Sequence, residues 1–447
     1  MDYSMTRRAG LKAAMTILLL SGAMLPASPA EASVPVETRF VLDTLSFLIH
    51  GFLIFWMAAG FSMLEAGLVR TKSVSTILLK NITLFAIAGI AFYLTGFNLM
   101  HTGVDGGFMG SFGPWLRDDT AALAGDYSAG FSSSSNWFFQ MLFAATTASI
   151  ISGALAERIK LWPFFAFIAL LAAVLYPIQG SWGWGGGWLA GMGFKDFAGS
   201  THVHSAAGWA ALAGAVILGA RRGRFDADGK ARELPASSLP LATLGTMVLW
   251  MGWFGFNGGS LGAISSAADV ITVSNVYVNT TMASAGGIVT AVALMQLRTG
   301  KVDLATVLNG GLAGLVSITA GPDTPTIGQA ILIGAVGAVV MVASTWALLR
   351  WRIDDVIGAV PVHLGCGLWG TLVVPLTDPA TSLQAQLIGV AAVASFMTVT
   401  STAAWLALKA TMGLRLSQAE EAIGIDKVET GTLAYPEFAI KSGFDKG

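Results

Sequence analysis

Asp196-Phe-Ala-Gly-Ser-Thr-His-Val-His204 and Asp355-Val-Ile-Gly-Ala-Val-Pro-Val-His363 share one spacing, a histidine eight residues after an acid. Each continues into an apolar stretch rich in glycine and other small residues, with a tryptophan soon after, Trp209 and Trp369. An ionisable side chain inside an apolar run costs free energy in a bilayer, so it marks function by default. A hydrogen bond between packed helices would account for one such histidine. Two at matched positions favour a functional pair.

The surroundings of these segments are those of a membrane protein. Of 447 residues 54% are hydrophobic and only 11% charged, and the mean hydropathy is +0.68, far above a soluble domain. The net charge of -1 comes with no basic arm or stripe, which excludes a nucleic-acid partner. The single cysteine, Cys366, excludes an intrachain disulfide and a cysteine-based metal motif. No nucleophile, metal-ligand cluster or phosphate loop accompanies the buried residues, so the chain does not read as an enzyme and implies no cofactor.

Arg7, Arg8 and Lys12 precede an apolar stretch from Ala13 to Leu25 and then Ala30-Glu31-Ala32, the form of a secretory signal with cleavage after Ala32. Spanning roughly 30 Å of hydrocarbon takes about 20 apolar residues, and eleven such runs follow. Their cores are 43 to 65, 76 to 97, 136 to 155, 162 to 180, 200 to 220, 237 to 257, 275 to 297, 304 to 320, 328 to 350, 357 to 376 and 384 to 409. Alternate loops carry Arg70 and Lys72; Arg158 and Lys160; Arg221, Arg222, Arg224, Lys230 and Arg232; Arg298 and Lys301; and Arg350 and Arg352. The other loops carry only Arg117 and Lys195. The positive-inside rule then gives an all-α membrane protein of eleven transmembrane helices, N-terminus outside and C-terminus inside. Residues 1–32 form the signal peptide, 33–410 the membrane domain and 411–447 a polar cytoplasmic tail.

With this topology Asp196 lies outside and Asp355 inside. Helices one to five and six to ten are therefore inverted repeats, an arrangement that places a transport site at the repeat interface. His202 sits about 200° round the helix from His204 and cannot face the same path; only His204 matches His363. Trp253, Phe256 and Ser260 fall at i, i+3 and i+7, on one helix face. Gln140 and Phe143 share a face of the third span, and Trp182-Gly-Trp184-Gly-Gly-Gly-Trp188 puts three indoles near the outer mouth. Most of the 14 tryptophans, Trp182 and Trp188 among them, belong to an interfacial belt. An aromatic cluster beside a hydroxyl suits a small cation, with about 0.5 to 2 kcal/mol from cation–π contact.

The segments Gln140-Met-Leu-Phe143, Gly153-Ala-Leu-Ala-Glu-Arg158, Trp184-Gly-Gly-Gly187, Asp196-Phe-Ala-Gly199 and Trp253-Phe-Gly-Phe-Asn257 together resemble the ammonium transporter family, Amt branch, over nearly the whole chain. The resemblance implies a homotrimer in the cell inner membrane, one pore per subunit, surrounded by lipid and serving nitrogen uptake. It implies that Trp184, Phe143 and Ser260, supported by Asp196, recruit ammonium, with methylammonium a second candidate. Phe143 and Phe256 would form the gate, and His204, His363 and Trp253 would line the pore. The family commonly has glycine after the second pore histidine; here Leu364 stands there, with Pro361 before it. Glu421-Ala-Ile-Gly-Ile-Asp426 and Glu429-Thr-Gly-Thr-Leu-Ala-Tyr435-Pro resemble the family's tail, where PII-type signal proteins dock, although the usual His-Gly-Glu element is replaced. Two other readings stay open at this point: an ammonium sensor with little transport, and an electroneutral channel for ammonia or another gas.

Overall fold

The computed structural model describes residues 34–438; the signal peptide expected at 1–32 lies outside them. The described residues are helical, with only two isolated β-bridges and no strand. Among the described residues, nine helices are long and apolar enough to cross a membrane. In chain order, and including two shorter apolar helices, we label α1 (Val36–Leu68), α2 (Thr71–His101), α3 (Ser133–Ala154), α4 (Leu161–Ser181), α5 (Ser200–Leu218), α6 (Leu239–Gly259), α7 (Ala267–Thr299), α8 (Leu304–Ile318), α9 (Ile327–Arg350), α10 (Val360–Leu376) and α11 (Leu383–Thr411). The two shorter ones are α8 and α10. Helices α1, α2 and α7 run beyond the expected cores because their ends carry polar residues that hydropathy does not count. Ser266 and Asp269, for example, form a capping box that starts α7.

The side-chain distribution is that of a protein in lipid. Ile82, Val289, Leu332 and Val399 are exposed, whereas Glu65, Thr147, Thr201, His204 and Gln386 are fully buried. Helices α1 and α6 form the most extensive pair, and α7, α8 and α9 pack together.

Two polar clamps sort the loops. Arg221, after α5, binds Asp354, after α9, at 2.8 Å and Glu157, after α3, at 2.9 Å. Glu157 also holds Arg70, after α1, at 2.5 Å. The loops following α1, α3, α5 and α9 thus share one face. Burial alone would push the Asp354 carboxyl up, but its hydrogen bonds to Arg221 and the charges of Arg221 and Arg158 outweigh this and bring it to about 2. On the other clamp, Lys195, before α5, pairs with Asp323, after α8, at 3.0 Å and Asp378, after α10, at 3.1 Å. Alternate loops therefore gather in two separate sets.

The chain after α11 returns to the Arg221 face. The Asp426 carboxylate accepts from Ser75 N and Thr76 N at 3.0 and 2.8 Å. Glu421 accepts from Arg222 N at 2.6 Å and from Arg415 at 2.8 Å.

Candidate functional site

Both histidine segments open in the same way. Gly199 (φ 103°) and Gly358 (φ 83°) take left-handed backbone that only glycine enters without strain. The acid three residues earlier then satisfies the free N–H groups of the first turn. Asp196 Oδ2 accepts from Thr201 N at 3.0 Å and from His202 N at 2.7 Å. Asp355 accepts from Gly358 N at 3.1 Å and from Val360 N at 2.6 Å.

The turns that follow, Ser200–Ser205 and Val360–Gly365, are π-helical, a winding that often marks functional sites because the extra residue re-aims a side chain. It brings His204 and His363 together: their Nδ1 atoms lie 3.1 Å apart and their rings stack at 5.1 Å. Thr201 and Thr371 join α5 to α10 by a hydroxyl pair at 2.6 Å.

An Nδ1 to Nδ1 hydrogen bond between neutral imidazoles needs one N–H and one lone pair. The two rings are therefore opposite tautomers. One presents a bare Nε2 and the other an Nε2–H. His204 Nε2 is buried with no protein partner, which leaves it free for a guest that donates or accepts a proton.

Aromatic rings surround the pair. Trp253 stacks on His204 at 5.1 Å, with its indole N–H held by Thr319 at 2.8 Å. Phe256 lies 5.8 Å from His204 and stacks on Phe143 at 3.9 Å. Phe143 and Phe256 are 2% and 0% exposed, so the stack is buried. Trp184 meets Phe143 edge to face at 5.7 Å and donates its indole N–H to the Asp196 carbonyl at 2.8 Å. Ser260 caps α6, its hydroxyl donating to the Phe256 carbonyl at 2.7 Å. Trp184, Phe143, Phe256, Trp253, His204 and His363 thus form one continuous line of rings, with Asp196 holding the Trp184 indole and Ser260 at the end of α6.

His202 flanks this line, its ring 5.0 Å from that of Trp184, and other histidines and tryptophans have partners of their own. His202 turns to Gln179, at 2.8 Å, and Trp182 and Trp188 pair with each other on the connecting loop. His50 binds Tyr277 at 2.9 Å, and His101 packs on Phe97.

Beyond His363, away from the gate, a chamber of about 10 Å³ is lined by Phe61, Leu64, Ile150, Leu312 and Val362, close to the room one water needs. Asn309, Ile357 and Gly358 divide it from a cavity of about 510 Å³ that opens among the Arg221-face loops. This half of the path, with Phe61 at 6.5 Å from the His363 ring, has no counterpart in the sequence expectations. The signal was the pair of segments Gly60-Phe61 and Gly255-Phe256, too short to notice alone.

Fold and site together define a polytopic helical membrane protein with a buried line of aromatic rings that leads to a histidine pair. A family model described as Ammonium Transporter Family matches residues 45–435. The chain is 38% identical over 456 aligned positions, covering 95% of both chains, to ammonium transporter Amt2 of Archaeoglobus fulgidus. Among solved structures it resembles one titled Sensor Amt Protein, with TM-score 0.82 and 33% identity, covering 88% of this chain and 99% of that one. It also resembles Candida albicans Mep2, with TM-score 0.76 and 27% identity over 87% and 89% of the two chains. The chain belongs to the ammonium transporter family.

Proposed function

We propose that the protein carries ammonium inward across the cell inner membrane through eleven spans, α1 to α11, with α1–α5 and α6–α10 as inverted halves. The basic loops and the Arg221 clamp face the cytoplasm and the Lys195 clamp faces the periplasm, which puts the N-terminus outside and the C-terminus inside. The separation of alternate loops into two clamps supports this topology, and the two acid-capped π turns support the inverted repeat.

Ammonium meets Trp184, Phe143 and Ser260, with Asp196 fixing the indole through its carbonyl. Cation–π contact of about 0.5 to 2 kcal/mol holds the ion without trapping it. A bare ion in the apolar path beyond Phe143 and Phe256 would face an idealised cost of about 20 kcal/mol. Ammonium escapes that cost by giving up a proton, which potassium has no means to do. Ammonia then passes Trp253 and the histidines, while the proton crosses the His204–His363 hydrogen bond by donation from one Nδ1 to the other. The observation that carries this reading is that 3.1 Å hydrogen bond beside a free Nε2.

Residues 1–32 serve as a cleaved signal peptide and 411–447 as a regulatory tail. The working unit is a homotrimer, with a PII-type signal protein as partner of the tail. The contacts of Asp426 with the first turns of α2 and of Glu421 with the α5–α6 loop support a tail that senses those segments.

The test is current on a supported membrane after ammonium, methylammonium and potassium pulses to proteoliposomes. A saturable ammonium current without a potassium current is expected. Ammonia entry without current would replace this reading by the electroneutral channel, and binding with neither would replace it by the sensor.

A further inference from the structure

Helices α1 and α6 cross with an internal two-fold. A side chain at Gly60 would run into Gly245 and Leu249, and one at Gly255 would run into His50 and Ile54. Each partner is displaced by the same 195 positions that separate the two glycines. In that register Phe61 corresponds to Phe256 and Glu65 to Ser260. The rings behave accordingly, Phe256 lying 5.8 Å from His204 and Phe61 lying 6.5 Å from His363. One helical turn beyond the ring, the outer half carries the hydroxyl assigned to recruitment. The inner half carries a carboxyl.

Glu65 is 0% exposed. Its Oε2 accepts from Ser152 at 2.6 Å and Asn81 at 3.1 Å, while Oε1 has no partner. Lys80 does not touch it; its ammonium donates to the Ser152 carbonyl at 2.8 Å and lies 4.6 Å from the Phe164 ring. Packing alone would be better served by an amide than by an ionisable group with an empty lone pair in a membrane. The carboxyl is close to the path: a side chain at Gly153 would meet Ile357 on one side and the Glu65 carboxyl carbon, at 3.5 Å, on the other. Ile357 lines the chamber under His363. The charged groups near Glu65 are Lys80 on α2 and Arg158 beyond α3, which acts on Lys80 in turn; the part of α6 facing α1 here, around Gly245, carries none.

We propose that Glu65 is the inner proton acceptor of the pore, receiving the proton passed by His204 and His363 and returning it to ammonia leaving toward the cytoplasm. Ammonium loses H⁺ at the gate, the Glu65 carboxylate gains it, and the same proton rejoins ammonia on the inner side, so charge and atoms balance over the cycle. The inference rests on the proton-linked reading above.

The experiment records ammonium-pulse current and lumenal pH, by an entrapped dye, in proteoliposomes of the wild type, Glu65→Gln and Glu65→Asp. Glutamine keeps an oxygen for Ser152 and cannot carry the proton. Its current should fall about tenfold or more, in line with loss of a positioned acid–base group. Ammonia entry should persist as lumenal alkalinisation, and aspartate should restore part of the current. Wild-type current in Glu65→Gln overturns the proposal. So does loss of both current and ammonia entry in a Glu65→Gln protein that melts like wild type, since Glu65 would then shape the pore only. Absence of current in the wild type removes the proton-linked reading itself, and Glu65's role with it.

Discussion

Leu364 lies over Gly208: a side chain at position 208 would run into the Leu364 Cα, Cβ and backbone nitrogen. The chain after the second pore histidine thus comes so close to α5 that only a glycine at 208 leaves room for it. Gly208→Ala should destabilise by about 1 to 3 kcal/mol through overpacking. The same Gly208→Ala change should cost less in a Leu364→Gly background, where the Cβ it meets is gone. Thermal melting of the detergent-solubilised single and double variants checks the coupling; additive losses would mean the two positions do not share the space.

The two caps differ in how many oxygens they use. Asp196 holds the Thr201 and His202 N–H groups with Oδ2 alone, whereas Asp355 divides Gly358 and Val360 between Oδ1 and Oδ2. Asparagine retains one accepting oxygen. Asp196→Asn should therefore melt near the wild type, and Asp355→Asn should lose about 0.5 to 2 kcal/mol, the range for a lost cap. Equal losses in both variants would contradict the geometry.

Ser260→Ala removes a hydroxyl from the outer end of the line. A hydrogen bond of about 0.5 to 1.5 kcal/mol to the arriving ion corresponds to a twofold to about tenfold rise in half-saturating ammonium. The maximal current should stay close to wild type, because the deprotonation and relay groups are untouched. A fall in maximal current with unchanged half-saturation would place Ser260 at a later step.

Asp354 is held at about 2 in the folded protein, below the ordinary value of about 3.9. A depressed carboxyl contributes its stability in full above the unfolded value and loses it as the pH falls toward the folded one. Melting temperature should therefore decline between about pH 4 and pH 2 in the wild type. Asp354→Asn should start lower and lack this component of the decline.

Much of this arrangement was legible in the residues. The equal acid-to-histidine spacing named His204 and His363, because a matched pair of costly groups has few explanations other than function. The basic residues set the helix alternation because each loop reports its side separately. The π winding was not legible, since it follows from how Gly199 and Gly358 let the chain enter α5 and α10 rather than from any apolar period. Glu65 and Lys80 were not legible for another reason. Each sits singly within or at the end of an apolar run, and only folding shows that Ser152 and Asn81 gather them beside the inner chamber. The fit of Leu364 was not legible either, because only packing sets Gly208 opposite it.

The most direct test of proton-linked transport through the histidine pair is the ammonium-pulse current of wild type, His204→Ala, His363→Ala and the double variant, at equal protein density in liposomes. We expect a saturable wild-type current that both single variants lose, and a double variant no worse than either, because one shared hydrogen bond is broken in every case. A double variant with the saturable, potassium-excluding current of the wild type would contradict the account.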